Sequence, residues 1–124
     1  MIEQKKDSSL LLLVTHGTYS HHDDGMSALL LANAYLAFQE KATIVLLDDG
    51  VYMAVKGQDP SGLGLPGYLK YVNDILDLKG RIIALQESLE SRGIRKEQLV
   101  DRVEVINTEG LCQEIKNHRA TVTF

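Results

Sequence analysis

The chain of 124 residues has one cysteine, Cys112, which excludes an intramolecular disulfide. A lone thiol fits a reducing compartment, so a cytoplasmic location is expected. No apolar run approaches the roughly 18 residues that cross a bilayer. The opening Met1-Ile2-Glu3-Gln4-Lys5-Lys6-Asp7 is charged, and only Leu10–Val14 follows it as an apolar run. With no small-residue cleavage pattern after it, a signal peptide is not expected. Positive charge is scarce and scattered: Lys5-Lys6 is the one lysine pair, the net charge is −4 and the pI about 5.5. That balance argues against nucleic acid or an anionic membrane as the main partner. Proline occurs only twice, both times within residues 59–67. No internal repeat or low-complexity tract is visible.

What is present suits one soluble domain. Hydrophobic residues make up 44% and charged residues 24%, and the length allows a single core. The chain is organised around Thr43–Gln58, TIVLLDDGVYMAVKGQ. Thr43–Leu47 is a short, continuous apolar run rich in β-branched residues, the pattern of a strand buried on both faces. Asp48-Asp49-Gly50 stops it with turn chemistry. Val51–Val55 follows at once, and its apolar residues predict a half-exposed contact surface.

The remaining elements alternate. Residues 1–8 read as a solvated leader and residues 9–124 as the domain. Ser9–Val14 is the first strand, and Thr15–Gly25 a polar loop. Met26–Gln39 is a largely buried helix, capped by Asp23 or Asp24. Residues 59–67 form a loop, and a helix is predicted over 67–78 with Gly80 as its stop. Arg81–Leu85 is a strand and Gln86–Arg92 a short helix closed by Gly93. A helical turn at 95–99, a strand at 103–106, a helix at 108–117 and a strand at 120–124 complete the chain. Such alternation implies an α/β domain of three layers, with a mostly parallel sheet of about five strands and helices on both faces. A flavodoxin-like strand order is expected, with the crevice at the carboxyl ends of the strands. His16, Asp48, Asp49, Gln86 and Asn107 fall at that mouth.

Each candidate site has a plainer reading. His16, His21, His22, Asp23 and Asp24 carry metal-ligand chemistry, but adjacent histidines diverge and no defined metal spacing is matched. A polar loop with a helix cap accounts for them, and no metal or other cofactor is predicted. Asp48 and Asp49 form an acid/base pair only if a partner reaches them; otherwise they are turn residues. The glycines of 61–67 lack the following Lys-Ser/Thr of a phosphate loop. Cys112 lies early in the last helix, where the macrodipole favours a thiolate while Glu109 and Glu114 oppose it. Its plainer reading is a structural cysteine. Tyr52, Met53, Val55, Leu63 and Leu65 are predicted to form an apolar subunit interface beside the mouth.

Several blocks together resemble the DsrE/DsrF-like sulfur-relay family, and most nearly its DsrF or TusC branch. They are Val14-Thr15-His16-Gly17, Asp48-Asp49-Gly50-Val51-Tyr52, Lys56-Gly57-Gln58-Asp59-Pro60, Glu87-Ser88-Leu89-Glu90-Ser91-Arg92-Gly93-Ile94 and Thr121-Val122-Thr123-Phe124. The resemblance implies a small α/β subunit that assembles with itself or with sister DsrE-like and DsrH-like chains, as trimers of dimers or heterohexamers. Such assemblies pass persulfide sulfur in tRNA thiolation or in sulfur oxidation and sulfite-reduction pathways. In the DsrE or TusD branch the sulfur-bearing cysteine lies after the third strand, where this chain reads Leu85-Gln86-Glu87-Ser88. Without a thiol there, the implied role is a non-catalytic partner subunit. Persulfide transfer needs a thiolate, and Ser88, with no base beside it, cannot substitute. Two alternatives stay open: a sulfurtransferase using Cys112 as carrier, and a small-molecule or metal-binding module at the His16 and Asp48-Asp49 mouth.

Overall fold

A computed structural model describes residues 9–17, 24–59, 62 and 67–124. The leader, the histidines at 21 and 22, Asp23, and the interface candidates Leu63 and Leu65 lie outside the described residues. The elements run β1 (Ser9–Val14), α1 (Asp24–Ala37), β2 (Lys41–Leu46), a 3-10 helix (Asp48–Ala54), α2 (Leu69–Asp77), β3 (Arg81–Leu85) and α3 (Gln86–Ser91). A 3-10 turn (Lys96–Gln98), β4 (Glu104–Ile106), α4 (Thr108–Asn117) and β5 (Ala120–Thr123) follow. All pairings between the five strands are parallel, and the sheet order is β4-β3-β2-β1-β5.

The α/β class and the five-stranded parallel sheet match the sequence-based expectation. The strand order does not follow the flavodoxin arrangement, which runs 2-1-3-4-5. Here each of the first three crossovers steps to the adjacent strand in one direction, and the last carries the chain back across the sheet to β5.

The alternation of side chains along the strands separates two unequal layers. On the first face Leu10, Leu12, Val14, Ile44, Leu46, Ile82 and Ala84 pack against Ala28, Leu29 and Ala32 of α1, Val72 and Ile75 of α2, and Leu89 of α3. The 3-10 helix joins this layer through Val51, Met53 and Ala54. Burying each such Leu, Ile or Val contributes about 1.5–3 kcal/mol. On the second face the buried set among the described residues is Leu11, Val45 and Ile83, with Leu13, Leu47, Ile106 and Leu111 partly buried around it. Among the described residues one helix, α4, covers that side, and none of its residues is buried.

The central stretch corrects one expectation. Val51–Val55 is not a half-exposed surface. A period of three puts Gly50 with Met53, and Val51 with Ala54, on the inner side of a 3-10 helix. Tyr52 is left outside at 45% exposure, while Met53 is 1% exposed and is a core residue rather than an interface one. Val55 is half-buried and bridges Leu99. Tyr68 Oη and Gln58 Nε2 both donate to the Tyr52 carbonyl, at 3.1 and 2.9 Å, and so satisfy that turn.

Candidate functional site

The mouth at the carboxyl ends of the strands is built from backbone contacts first. The Leu47 amide donates to the Val14 carbonyl at 3.0 Å, which draws the loops after β1 and β2 together. Gly50 completes the closure: a Cβ there would stand 2.2 Å from the Val14 carbonyl oxygen, so only glycine fits. Asp48 adopts φ 51°, a left-handed conformation that aspartate tolerates better than most residues. Its amide then reaches the Ser88 hydroxyl at 2.9 Å.

The side chains tie the next loop to this frame. Arg92, just after α3, donates through Nε to Asp49 Oδ1 at 3.0 Å, and its Nη1 reaches the Ser91 hydroxyl at 2.9 Å and the Ser88 carbonyl at 3.3 Å. Asp49 is thereby an ion-pair partner, while the Asp48 carboxylate is exposed and has no partner among the described residues. Gln86 is exposed and donates to Glu90 Oε2 at 3.1 Å along its own helix, away from the aspartates. His16 Nδ1 stands 3.1 Å from Thr15 Oγ1 and 3.6 Å from Asp24 Oδ2. Thr15 Oγ1 donates to the Phe124 carbonyl at 2.9 Å, so in the Thr15 contact the imidazole is the donor. Among the described residues no three His, Cys, Asp or Glu side chains gather as metal ligands.

The expected mouth therefore contains two clusters rather than one. His16 pairs with Thr15 and Asp24, and Asp48-Asp49 engage Ser88 and Arg92. Sequence reasoning missed Arg92, because a contact across 43 residues leaves no local signal. It also missed Glu87, whose carboxylate accepts the Thr108 amide at 3.2 Å. Asn107, expected only as a mouth residue, caps α4: its side chain accepts the Gly110 amide at 2.9 Å.

Glu87 sits where the fold reverses. The chain leaves β3 for the first face through α3 and leaves the adjacent β4 for the second face through α4. A crevice between neighbouring loops that depart to opposite faces is where open α/β sheets take ligands. In this chain that crevice is bridged from within by the Glu87–Thr108 contact. Glu87 is exposed, and hydrogen bonds from backbone amides, its own first and then that of Thr108, hold its carboxyl below the usual carboxylate range. The stretch offers a carboxylate, an amide and a hydroxyl, but no thiol. Ser88 is buried and already accepts the Asp48 amide. The one thiol, Cys112, is exposed on α4.

A cleft of about 490 Å³ opens at the opposite end of the strands, lined by Thr43, Arg81, Glu114 and His118 among others. Arg81 chelates both Glu104 and Glu114 there, with contacts of 2.7–3.0 Å. His118 Nδ1 donates to the Glu114 carbonyl at 2.7 Å, and its Nε2 lies 2.9 Å from the Thr43 hydroxyl. These bonds pin the carboxyl end of α4 to the sheet.

Comparison with known proteins follows the same outline. The profile of the "DsrE/DsrF-like family" matches residues 8–124. A "Protein TusC homolog" of Vibrio vulnificus is 31% identical over 121 residues, covering 94% of this chain and 99% of the relative. The "Intracellular sulfur oxidation protein DsrF" of Allochromatium vinosum is 35% identical over 66 residues, 52% of this chain and 48% of that protein. Among solved structures, the ychN protein of E. coli superposes with a TM-score of 0.80 at 21% identity, over 94% of this chain and 99% of the other, a likeness of fold.

Proposed function

The chain belongs to the DsrE/DsrF-like family, and from that premise we propose that it is a non-catalytic subunit of an intracellular sulfur-relay complex, of the TusC or DsrF kind. It holds sister DsrE-like and DsrH-like chains, or further copies of itself, in place while another subunit carries the persulfide. The observation that carries this reading is the unequal layering of the sheet. A five-stranded sheet whose second face has one helix with no buried residue leaves Leu13, Leu47, Ile106 and Leu111 incompletely covered. An open apolar margin of that sort is what a subunit contact closes. The thiol-free stretch Gln86–Ser88, and a Ser88 hydroxyl bonded to the Asp48 amide with no base beside it among the described residues, support the non-catalytic role. Among the described residues no helix is long and apolar enough to cross a membrane.

Light scattering coupled to size exclusion tests the assembly, on the chain alone and co-expressed with sister chains. The expected result is a stable oligomer that Ile115→Glu, an exposed position on α4, weakens. A chain that stays monomeric at micromolar concentration and ignores its sister chains removes the reading.

The exposure of Cys112 favours a second reading, in which this thiol itself accepts sulfur. Incubation with a persulfide donor followed by intact mass decides it. A gain of one sulfur that Cys112→Ser abolishes supports the carrier role, and no gain removes it.

A further inference from the structure

The helices on the two faces of the sheet are held in different ways. On the first face α1 and α2 are fixed by burial, through Ala28, Leu29 and Ala32 of one and Val72 and Ile75 of the other. On the second face the half-buried positions of α4 and its cap include Leu111, Glu114 and His118, at the i, i+3 and i+7 spacing of one helix side. Leu111 is the apolar residue of the three. Glu114, with 14% of its side chain exposed, accepts from Arg81 at 2.7 and 2.9 Å. His118, with 8% exposed, donates through Nδ1 to the Glu114 carbonyl and meets the Thr43 hydroxyl through Nε2 at 2.9 Å. The next amide, of Arg119, donates to the Ser9 hydroxyl at 3.0 Å. At the other end the Thr108 amide donates to Glu87 at 3.2 Å. Polar contacts thus tie both ends of α4 down, with little apolar burial between them.

We infer that α4 is a strap that lifts from the second face as one unit well before the domain unfolds, with the Glu114–Arg81 and His118–Thr43 contacts as its latch. The inference does not depend on assembly. Its ground is the way each kind of contact responds to water. Taking one partner out of a half-buried ion pair is costly, because the other is left without a counter-charge. Lifting the whole helix instead returns both charges to water, where hydration offsets most of what the pair is worth. What opening forfeits is the small cluster of Leu11, Val45 and Ile83, while the larger cluster of the first face stays packed. Proteins open locally in units of this sort, the least buried first. A helix of 10 residues is marginal by itself in water, so a lifted α4 loses its helical hydrogen bonds together. Release does two things at once. It uncovers Leu11, Val45 and Ile83, and it withdraws the Thr108 amide from Glu87, which unbridges the crevice between α3 and α4. The strap therefore sets when that crevice and that face are available.

Amide hydrogen exchange of the full chain, read residue by residue across low urea concentrations, tests this. The amides of residues 111–117 are expected to share one opening and to be protected at least about tenfold less than those of β1 and β2. Their exchange is also expected to rise less steeply with urea, because lifting α4 exposes less surface than unfolding does. Two variants separate the strap from the rest. Ile75→Val trims one methyl from the first face, where Ile75 is fully buried. It is expected to speed exchange in β1 and β2 by about two- to twelvefold and to leave α4 unchanged, since the strap opens without disturbing that face. Glu114→Gln removes the charged half of the latch and is expected to speed exchange throughout α4 by at least about fivefold. Amides of α4 as protected as those of β1 and β2, or speeded equally by Ile75→Val, overturn the inference, because α4 then opens only with the whole domain. Protection that falls off gradually from one end of the helix is fraying and overturns it as well. An α4 rate that Glu114→Gln does not move removes the latch.

Discussion

The amide of Asp48 is held by the hydroxyl of Ser88 at 2.9 Å, across 40 residues of sequence. This bond fixes the left-handed turn that follows β2 and joins it to the start of α3. Ser88 is buried and the bond partly so, and removing the hydroxyl takes away the amide's partner. Ser88→Ala is expected to lower stability by about 1 kcal/mol, the usual worth of one such hydrogen bond, as read from urea unfolding. A change below a few tenths of a kcal/mol would mean the turn is held by its neighbours instead.

Gly50→Ala is expected to be the most damaging single methyl in the mouth. The added carbon meets the Val14 carbonyl, and backbone on both sides resists the shift. A loss of about 3 kcal/mol or more is expected in a thermal melt, at the upper end of overpacking effects. Gly57→Ala has open space around it but sits at φ 84°, so it reports conformational strain alone and is expected to cost less.

Acid sensitivity is expected from Glu104. Its carboxyl is held below the ordinary 4.5 chiefly by the hydrogen bond from Arg81, with partial burial acting the other way. A carboxyl with a lower pKa in the folded state binds fewer protons there than when unfolded. Its stabilisation is therefore present above 4.5 and is lost as pH falls through the lower folded value. Glu104→Gln is expected to flatten the stability profile below 4.5 and to lower stability at neutral pH by the modest amount that wild type loses in acid. An unchanged acid limb would place the acid response elsewhere.

Arg81 itself carries more. Its guanidinium pKa is raised further above its already high value by the hydrogen bonds it donates to Glu104 and then Glu114. Arg81→Met leaves the Glu114 carboxylate, only 14% exposed, without its partner. A cost of about 1–3 kcal/mol at neutral pH is expected, partly recovered in the double variant with Glu114→Gln, because the unpaired carboxylate is then gone. Arg81→Lys is expected to rescue little, since one ammonium cannot fork to two carboxylates. Chemical denaturation of the three variants makes the comparison.

The strands were legible because their apolar runs are short, continuous and bounded by polar residues, as Leu10–Val14 and Ile82–Leu85 are. The helices over 69–77 and 108–117 were legible from spacing. The strand order was not, because local pattern says that β5 exists but not which edge it joins. The 3-10 helix was misread for a related reason. Val51, Met53 and Ala54 look like loose apolar surface unless the three-residue period is noticed. In the mouth the aspartates could be placed from sequence, but Arg92 and Glu87 could not, since what makes them part of it is contact with Asp49 and Thr108 from distant segments.

The return of the chain to β5 sets the order in which the molecule can be made. The Arg119 amide closes on the Ser9 hydroxyl across 110 residues, and Leu10 is in register with Ala120. β1 is a central strand, yet one of its edges stays unpaired until that late segment has emerged from the ribosome. Until then the nascent sheet exposes an apolar strand edge, the kind of surface that recruits chaperones or another nascent chain. Synthesis beside its partners would shorten that interval, and truncation before Ala120 would prolong it indefinitely.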